Sequence, residues 1–372
     1  MKKYAYFDWP FGDYIFKALN EYNSKEVQFI KFSLFDMLKI QNRFAMWEYF
    51  YKNKPYCEEM ICEFIETTKP EALIVNFDWL KLCTDVIRVF HLMEIPVILI
   101  LHEGVFQDED IWYDRKIPIA DKALVWGELH KRIFEKRGYP SENISVVGSV
   151  KLNQYKNFTP SISREDFFRK TGLNANQRTI LYCCQLCDQQ WGEQSFALKK
   201  QLEQITDIAK AAENNNWNFI VRNTTSRPCE VLPPEFVETF KGNKNIFIDG
   251  EDVDSTFKST YRINAEDTIW YSDLIIGMDT TMQLEASLLN KPAAVIKYFD
   301  FDPKWHRELG LPVAKNYSEL VSLIETTINL ECDLISDDKK DYFCKEYGYN
   351  NDSNYSPMVN IEKFLIDFKS SY

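Results

Sequence analysis

Residues 272–296 read Ser272-Asp273-Leu274-Ile275-Ile276-Gly277-Met278-Asp279-Thr280-Thr281-Met282-Gln283-Leu284-Glu285-Ala286-Ser287-Leu288-Leu289-Asn290-Lys291-Pro292-Ala293-Ala294-Val295-Ile296. The short apolar run 274–276 is the mark of a buried parallel strand. Gly277 then permits a tight turn. Thr280 followed three residues later by Gln283 is a capping-box pattern, which predicts a helix starting there. Asn290 with Lys291-Pro292 stops that helix after roughly three turns. Residues 293–296 form the next strand. The result is one βαβ unit, with the hydroxyls of Thr280 and Thr281 at the positive end of a helix. Such an end binds phosphate through free backbone N–H groups and the dipole. Glu285 lies about one turn further in, where a carboxylate reaches ribose hydroxyls. The same pattern also fits a plain capped helix between two strands, with Glu285 facing water.

At 372 residues the chain has room for two domains of ordinary size, and 45% hydrophobic content supports real cores. No apolar run approaches the roughly 20 residues of a membrane span. The first ten residues carry two lysines, but Asp8 and Pro10 interrupt them, so no signal peptide is expected. Nine cysteines, an odd count without framework spacing, imply free thiols in a reducing cytoplasm. Cys184-Gln185-Leu186-Cys187 is a lone CxxC without a second pair, so a strand end is expected there rather than zinc or redox chemistry. A net charge of −12 argues against a nucleic-acid binder. An anionic nucleotide needs only a local pocket of N–H groups and a cation or two. The 15% of aromatic residues serve mostly as core, with some rings available to line a sugar groove.

Outward from the opening stretch, strands alternate with helices. Strands are expected over 4–7, 27–32, 72–75, 97–101, 122–126 and 144–147. Helices are expected over 13–22, 44–68 with a break near Pro55, 80–93 and 128–136, the last ended by Gly138. Residues 153–163 are polar, with one Pro and few large aliphatics, and read as a linker. The alternation restarts with strands over 179–183, 217–221 and 245–248. Helices follow over 194–214, 233–240, 264–270, 317–330 and 359–368. Such alternation means parallel, doubly wound sheets. Two such domains, 1–152 and 164–372, are expected to face each other across a cleft. Ligands then bind beyond the carboxyl ends of the strands.

The residues just after strands therefore carry the chemistry. His102-Glu103-Gly104 follows 97–101, where a His and a Glu are placed for proton transfer or simply open a polar loop. Gln185 and Asp188 follow 179–183, with nothing local that forces contact with a ligand. Arg222 and Arg227 flank the end of 217–221, and guanidinium forks suit phosphate. Gly148-Ser149 closes the first domain and fits an ordinary turn as well.

The series Gly277-Met278-Asp279-Thr280-Thr281, Glu285-Ala286 and Lys291-Pro292 resembles the nucleotide-binding element of GT-B glycosyltransferases. It is most similar to those that build bacterial surface polysaccharides such as capsule, O-antigen and lipopolysaccharide. Related epimerases and teichoic-acid polymerases share much of it. The resemblance implies that Thr280 and Thr281 hold a donor phosphate, with Asp279 in the same turn and Glu285 near the ribose. Bacterial sialyltransferases of this fold carry an acidic-acidic-Gly motif where this chain has His102-Glu103-Gly104. Glu103 matches the second acid, and His102 departs from the first. Teichoic-acid polymerases place a His-Gly pair in a similar loop, which keeps His102 as a rival base. Family members often show a His-Pro pair where this chain has Arg222, so Arg222 or Arg227 would supply the positive charge. Residues 121–127 and Val147-Gly148-Ser149 also look like this family, with Gly148 and Ser149 at the hinge near the donor phosphates. The resemblance spans 99–149 and 180–296, while 4–90 matches in pattern only.

The expectation is a cytoplasmic, metal-independent GT-B glycosyltransferase with no cofactor beyond its nucleotide-sugar co-substrate. The favoured donor is a CMP-activated sialic-acid-like or Kdo-like sugar. The acceptor would be a glycan or lipid-linked glycan, and a peripheral place at the inner membrane is compatible with this. Asp108-Glu109-Asp110, Asp252-Val253-Asp254 and Asp300-Phe301-Asp302 fit the Asp-x-Asp of metal-dependent transferases of the other fold. With 56 acids in the chain, such triplets carry little weight. Three rivals remain: a polyol-phosphate transferase of the teichoic-acid type, a nucleotide-sugar 2-epimerase, and a non-catalytic nucleotide-sugar-binding protein. An epimerase would be expected to show more His and carboxylate pairs, and this chain has four His.

Overall fold

The computed structural model describes residues 1–8, 13–22, 24–40, 43–78, 80–102, 118–185, 194–224, 228–252, 260–350, 352 and 354–369. The chain divides into two units, Met1–Gln154 with Asp341–Tyr372, and Tyr155–Lys340. Each holds one six-stranded parallel sheet, the two-domain Rossmann-like GT-B architecture expected from the sequence.

In the first unit the strands are β1 (Lys2–Phe7), β2 (Val27–Phe32), β3 (Ala72–Val75), β4 (Val97–Ile100), β5 (Lys122–Val125) and β6 (Ile144–Val146), in the order β2-β1-β3-β4-β5-β6. β3 and β4 are buried at every residue, as an all-apolar run covered by helices on both faces should be. The break near Pro55 appears as two helices, Arg43–Lys52 and Lys54–Thr68, with Pro55 in the first turn of the second. A proline there sacrifices an N–H that has no helical partner anyway. Gly138, at φ +89, follows the helix Glu128–Lys136 as its spacing implied.

The second unit contains β7 (Thr179–Cys183), β8 (Asn218–Arg222), β9 (Ile246–Asp249), β10 (Leu274–Gly277), β11 (Ala293–Ile296) and β12 (Val313–Ala314). Their order is β12-β11-β10-β7-β8-β9. β10 lies between β7 and β11, with Gly277 opposite both Cys183 and Val295. Its core is a continuous cluster from Ile180 and Tyr182 through Phe219, Ile276 and Ile296 to Leu320 and Ile324.

The C-terminal residues depart from the sequence reading, which placed them with the second domain. From Asp341 onward the chain packs on the first unit. Helix Pro357–Asp367 buries Ile361 and Leu365 against the cluster of Tyr4, Ile74 and Ile98. The Tyr4 hydroxyl donates to Leu365 O at 2.6 Å. Each of those aliphatic side chains stabilises the packing by about 1.5–3 kcal/mol. Upstream, Arg132 pairs with the buried Glu346. Backbone of residues 346–348 lies directly on Gly127, leaving no room for a Cβ there. Among the described residues no helix is long and apolar enough to cross a membrane.

Candidate functional site

Strand order in the second sheet reverses between β7 and β10. From β7 the chain moves outward through β8 and β9, then returns to the other side through β10, β11 and β12. Open parallel sheets hold ligands beyond the carboxyl ends of the strands at such a switch point. The groups there are Cys184 and Gln185 after β7, and Met278 to Thr281 after β10.

The helix after β10 spans Thr281–Leu288, with Thr280 as its N-cap. The capping box is complete. Thr280 Oγ1 accepts from Met282 N at 3.3 Å, and Gln283 Oε1 accepts from Thr280 N at 2.8 Å. Gln283 is fully buried, and its amide also donates to Gly277 O at 3.1 Å and to Ala294 O at 2.5 Å, tying helix, turn and β11 together. The box therefore uses the Thr280 hydroxyl. Among the described residues neither the Thr281 N–H nor its hydroxyl has a hydrogen-bond partner, and Thr281 is half-buried. The N–H and hydroxyl of this helix start that remain unengaged among the described residues are therefore those of Thr281. Glu285, one turn further in, is buried rather than solvated.

Asp279 is held from every side. Its N–H donates to Gln185 Oε1 at 2.7 Å, and its carbonyl accepts from Gln185 Nε2 at 2.6 Å. Its carboxylate accepts the N–H groups of Lys304 (2.7 Å) and Trp305 (3.1 Å), which open the helix Lys304–Leu309. The Trp305 indole donates to Thr280 O at 2.8 Å. Burial raises the Asp279 pKa to about 6 against the lowering effect of those two N–H groups. Asp279 is thus a brace for the turn, with its carboxylate directed to a neighbouring helix. Lys304 and Trp305 had no signal in the sequence, because their roles depend on contacts between elements distant in the chain.

Arg222 ends β8 with its guanidinium turned inward. Its Nη1 donates to Asp249 Oδ2 at 2.7 Å and to Ile263 O at 3.0 Å, and Tyr261 stacks 4.0 Å from its Cζ. Arg227 lies outside the described residues. In the first unit Ser149 is fully buried. Its Oγ accepts from Leu152 N at 3.0 Å, and its own N–H donates to Gly348 O at 3.0 Å. Gly148, at φ +95, lies against the Tyr355 hydroxyl with no room for a Cβ. Ser149 and Gly148 are therefore spent on packing within their unit. His102 follows β4, its ring 4.1 Å from that of Phe77 and its carbonyl accepting from the Tyr14 hydroxyl. Glu103 lies outside the described residues, as do Asp108, Asp110, Asp188 and Asp254. Beside this end of the sheet, the buried Asp78 accepts from Ile119 N at 2.7 Å and Ala120 N at 3.3 Å. Among the described residues no group of three His, Cys, Asp or Glu is placed to hold a metal ion.

No protein-family model matches the chain, and no curated protein matches it either. Solved structures do. The UDP-GlcNAc 2-epimerase of Methanocaldococcus jannaschii is similar at TM-score 0.59 and 16% identity, over 98% of this chain and 99% of that one. The Neisseria meningitidis UDP-GlcNAc 2-epimerase bound to UDP-GlcNAc is similar at TM-score 0.59 and 14% identity, over 99% and 100%. S. aureus MnaA with UDP is similar at TM-score 0.60 and 14% identity, over 98% and 95%. At these identities the likeness establishes the fold.

These neighbours overturn the expectation of a glycosyltransferase with a CMP-activated sialic-acid-like or Kdo-like donor. Several of them are UDP-GlcNAc 2-epimerases, and the alternative of a nucleotide-sugar 2-epimerase fits them better. The physical reason lies in what the motif reports. A helix start and a carboxylate one turn in meet the needs of a nucleotide diphosphate whether the sugar is then transferred or inverted.

Proposed function

We propose that this protein binds a uridine diphosphate sugar at the start of helix Thr281–Leu288 and inverts the sugar at C2. The observation that carries the reading is the open N–H and hydroxyl of Thr281 at the β7/β10 switch point, with Glu285 one turn in. It is supported by a fold shared over nearly the whole chain with UDP-GlcNAc 2-epimerases, two of them solved with UDP-GlcNAc. The Thr281 group would hold the diphosphate, and Glu285 would meet the ribose once the ligand displaces the side chains covering it.

Inversion at C2 requires a base to remove the C2 proton while the C1–O bond breaks, so that the electron pair forms a C1=C2 double bond and UDP takes the C1–O pair. Return of a proton to the other face of C2 and re-addition of UDP at C1 then complete the cycle. The His102 and Glu103 pair singled out by the sequence supplies the candidates for these proton transfers. Four histidines are no obstacle, since the chemistry needs only two proton-transfer groups. A thermal-shift panel of UDP, CMP, GDP, dTDP and CDP-glycerol tests the nucleotide assignment. A ligand at 100 times its Kd stabilises by about 2.7 kcal/mol. UDP should give the largest shift, and a larger shift with CMP or CDP-glycerol would refute the assignment.

A further inference from the structure

Two glutamines stand in series behind the diphosphate turn. Gln201, fully buried on helix Gln194–Asn215, grips the backbone of Gln185 at both polar groups. Its Oε1 accepts from Gln185 N at 2.7 Å, and its Nε2 donates to Gln185 O at 3.1 Å. Gln185 then grips the backbone of Asp279 in the same two-point manner, at 2.7 Å and 2.6 Å. A primary amide both accepts and donates, so each clamp bridges the two peptide groups that flank one residue and fixes the backbone at that residue. The two clamps connect helix Gln194–Asn215, the end of β7 and the turn after β10.

We propose that Gln185 is a positioning residue for the UDP-sugar site, fixing the turn so that Thr281 meets the diphosphate without rearrangement. The proposal rests on the reading of Thr281 as the diphosphate contact. Helix Thr281–Leu288 would form without Gln185, because its capping box is internal to residues 280–283. What Gln185 adds is orientation of the residue just before the cap. With the Asp279 side chain braced by Lys304 and Trp305, and its backbone by Gln185, the turn has little freedom left to lose on binding. Pre-organisation of this kind raises affinity by lowering the ordering cost. Its effect is expected on the phosphate contact at Thr281, next to the turn that Gln185 holds.

The experiment is calorimetric titration of UDP and of uridine into wild type, Gln185→Ala and Gln201→Ala, with melting temperatures measured alongside. Gln201→Ala loosens the same clamp from behind and serves as the second variant if Gln185→Ala does not fold. The expected result is a loss of UDP affinity of about tenfold, the scale of one or two hydrogen bonds to a charged group. Uridine affinity should stay within about twofold, since a general loosening would weaken both ligands alike. Equal losses for UDP and uridine, or no loss in a folded variant, would overturn the positioning role. Wild type that binds uridine but gains nothing from the phosphates would refute the Thr281 site, and the proposal with it.

Discussion

Arg222 and Asp249 form a buried ion pair at the carboxyl ends of β8 and β9, with Nη1 and Oδ2 2.7 Å apart and both side chains under 10% exposed. Burial raises the Asp249 carboxyl above its usual range, and the guanidinium of Arg222 pulls it back down. The pair spends the cation that the sequence suggested for phosphate. Arg222→Ala would strand Asp249 without its partner, at a cost of about 3–5 kcal/mol in unfolding free energy. Chemical denaturation measures this. A variant as stable as wild type but specifically deficient in UDP binding would place the guanidinium on the ligand after all.

The two threonines at the helix start should separate. Thr280 caps the helix, so Thr280→Val should lower stability by about 1 kcal/mol. Thr281 makes no cap, so Thr281→Val should leave stability nearly unchanged and weaken UDP binding by about 1–3 kcal/mol, as for a hydrogen bond to a charged group. Paired denaturation and titration experiments check this. The opposite pattern would assign the phosphate to the Thr280 hydroxyl.

Asp78 carries a stability signature in pH. Burial raises its pKa from 3.8 to about 6, against the N–H groups of Ala120 and Ile119. Between those values the folded protein holds a proton that the unfolded chain has released. The contribution of this group to stability is therefore full below pH 4 and is lost as pH rises through 6. The whole swing is about 3 kcal/mol. Asp78→Asn keeps an oxygen for both N–H groups and cannot ionise. Relative to wild type, it should gain about that much between pH 4 and 7.5 in denaturant melts. Parallel pH profiles for the two proteins would show that Asp78 titrates normally.

Two glycines record how closely the C-terminal segment approaches the rest of the first unit. Gly348 has φ +65, and a Cβ there would overlap Trp126 O, while one at Gly127 would overlap Glu346 O. Gly310 and Gly172 also have positive φ, at +75 and +72, but nothing lies within 4 Å of an added Cβ. Gly310→Ala and Gly172→Ala should cost about 1 kcal/mol from backbone strain alone. Gly348→Ala and Gly127→Ala should cost several times as much, because two backbones must separate. Equal costs at all four positions would mean that the segment yields easily.

Strand positions were legible because all-apolar runs such as 72–75 and 293–296 have one stable destination, the interior of a parallel sheet. The helix start at Thr280 was legible because its capping box is local, and the structure closes both bonds. The partner of the last helix was not legible. The amphipathic pattern of 357–367 shows which face is buried, and says nothing of Tyr4 and Ile98 some 260 residues or more away in sequence. Gln185 and Gln201 were equally hidden, since a glutamine amide serves any peptide that comes within reach. The reaction was misread for a different reason. The pattern of residues 277–286 was read as a nucleotide site, and such a site leaves open what happens to the sugar, which depends on groups elsewhere.

The most direct test is incubation of the folded protein with UDP-GlcNAc in D2O, followed by proton NMR. Inversion at C2 passes through loss of the C2 proton, so the account predicts a growing signal for the C2 epimer and deuterium at C2 in both epimers. UDP-GlcNAc that binds yet keeps its C2 proton, with no epimer formed over long incubation, would contradict it.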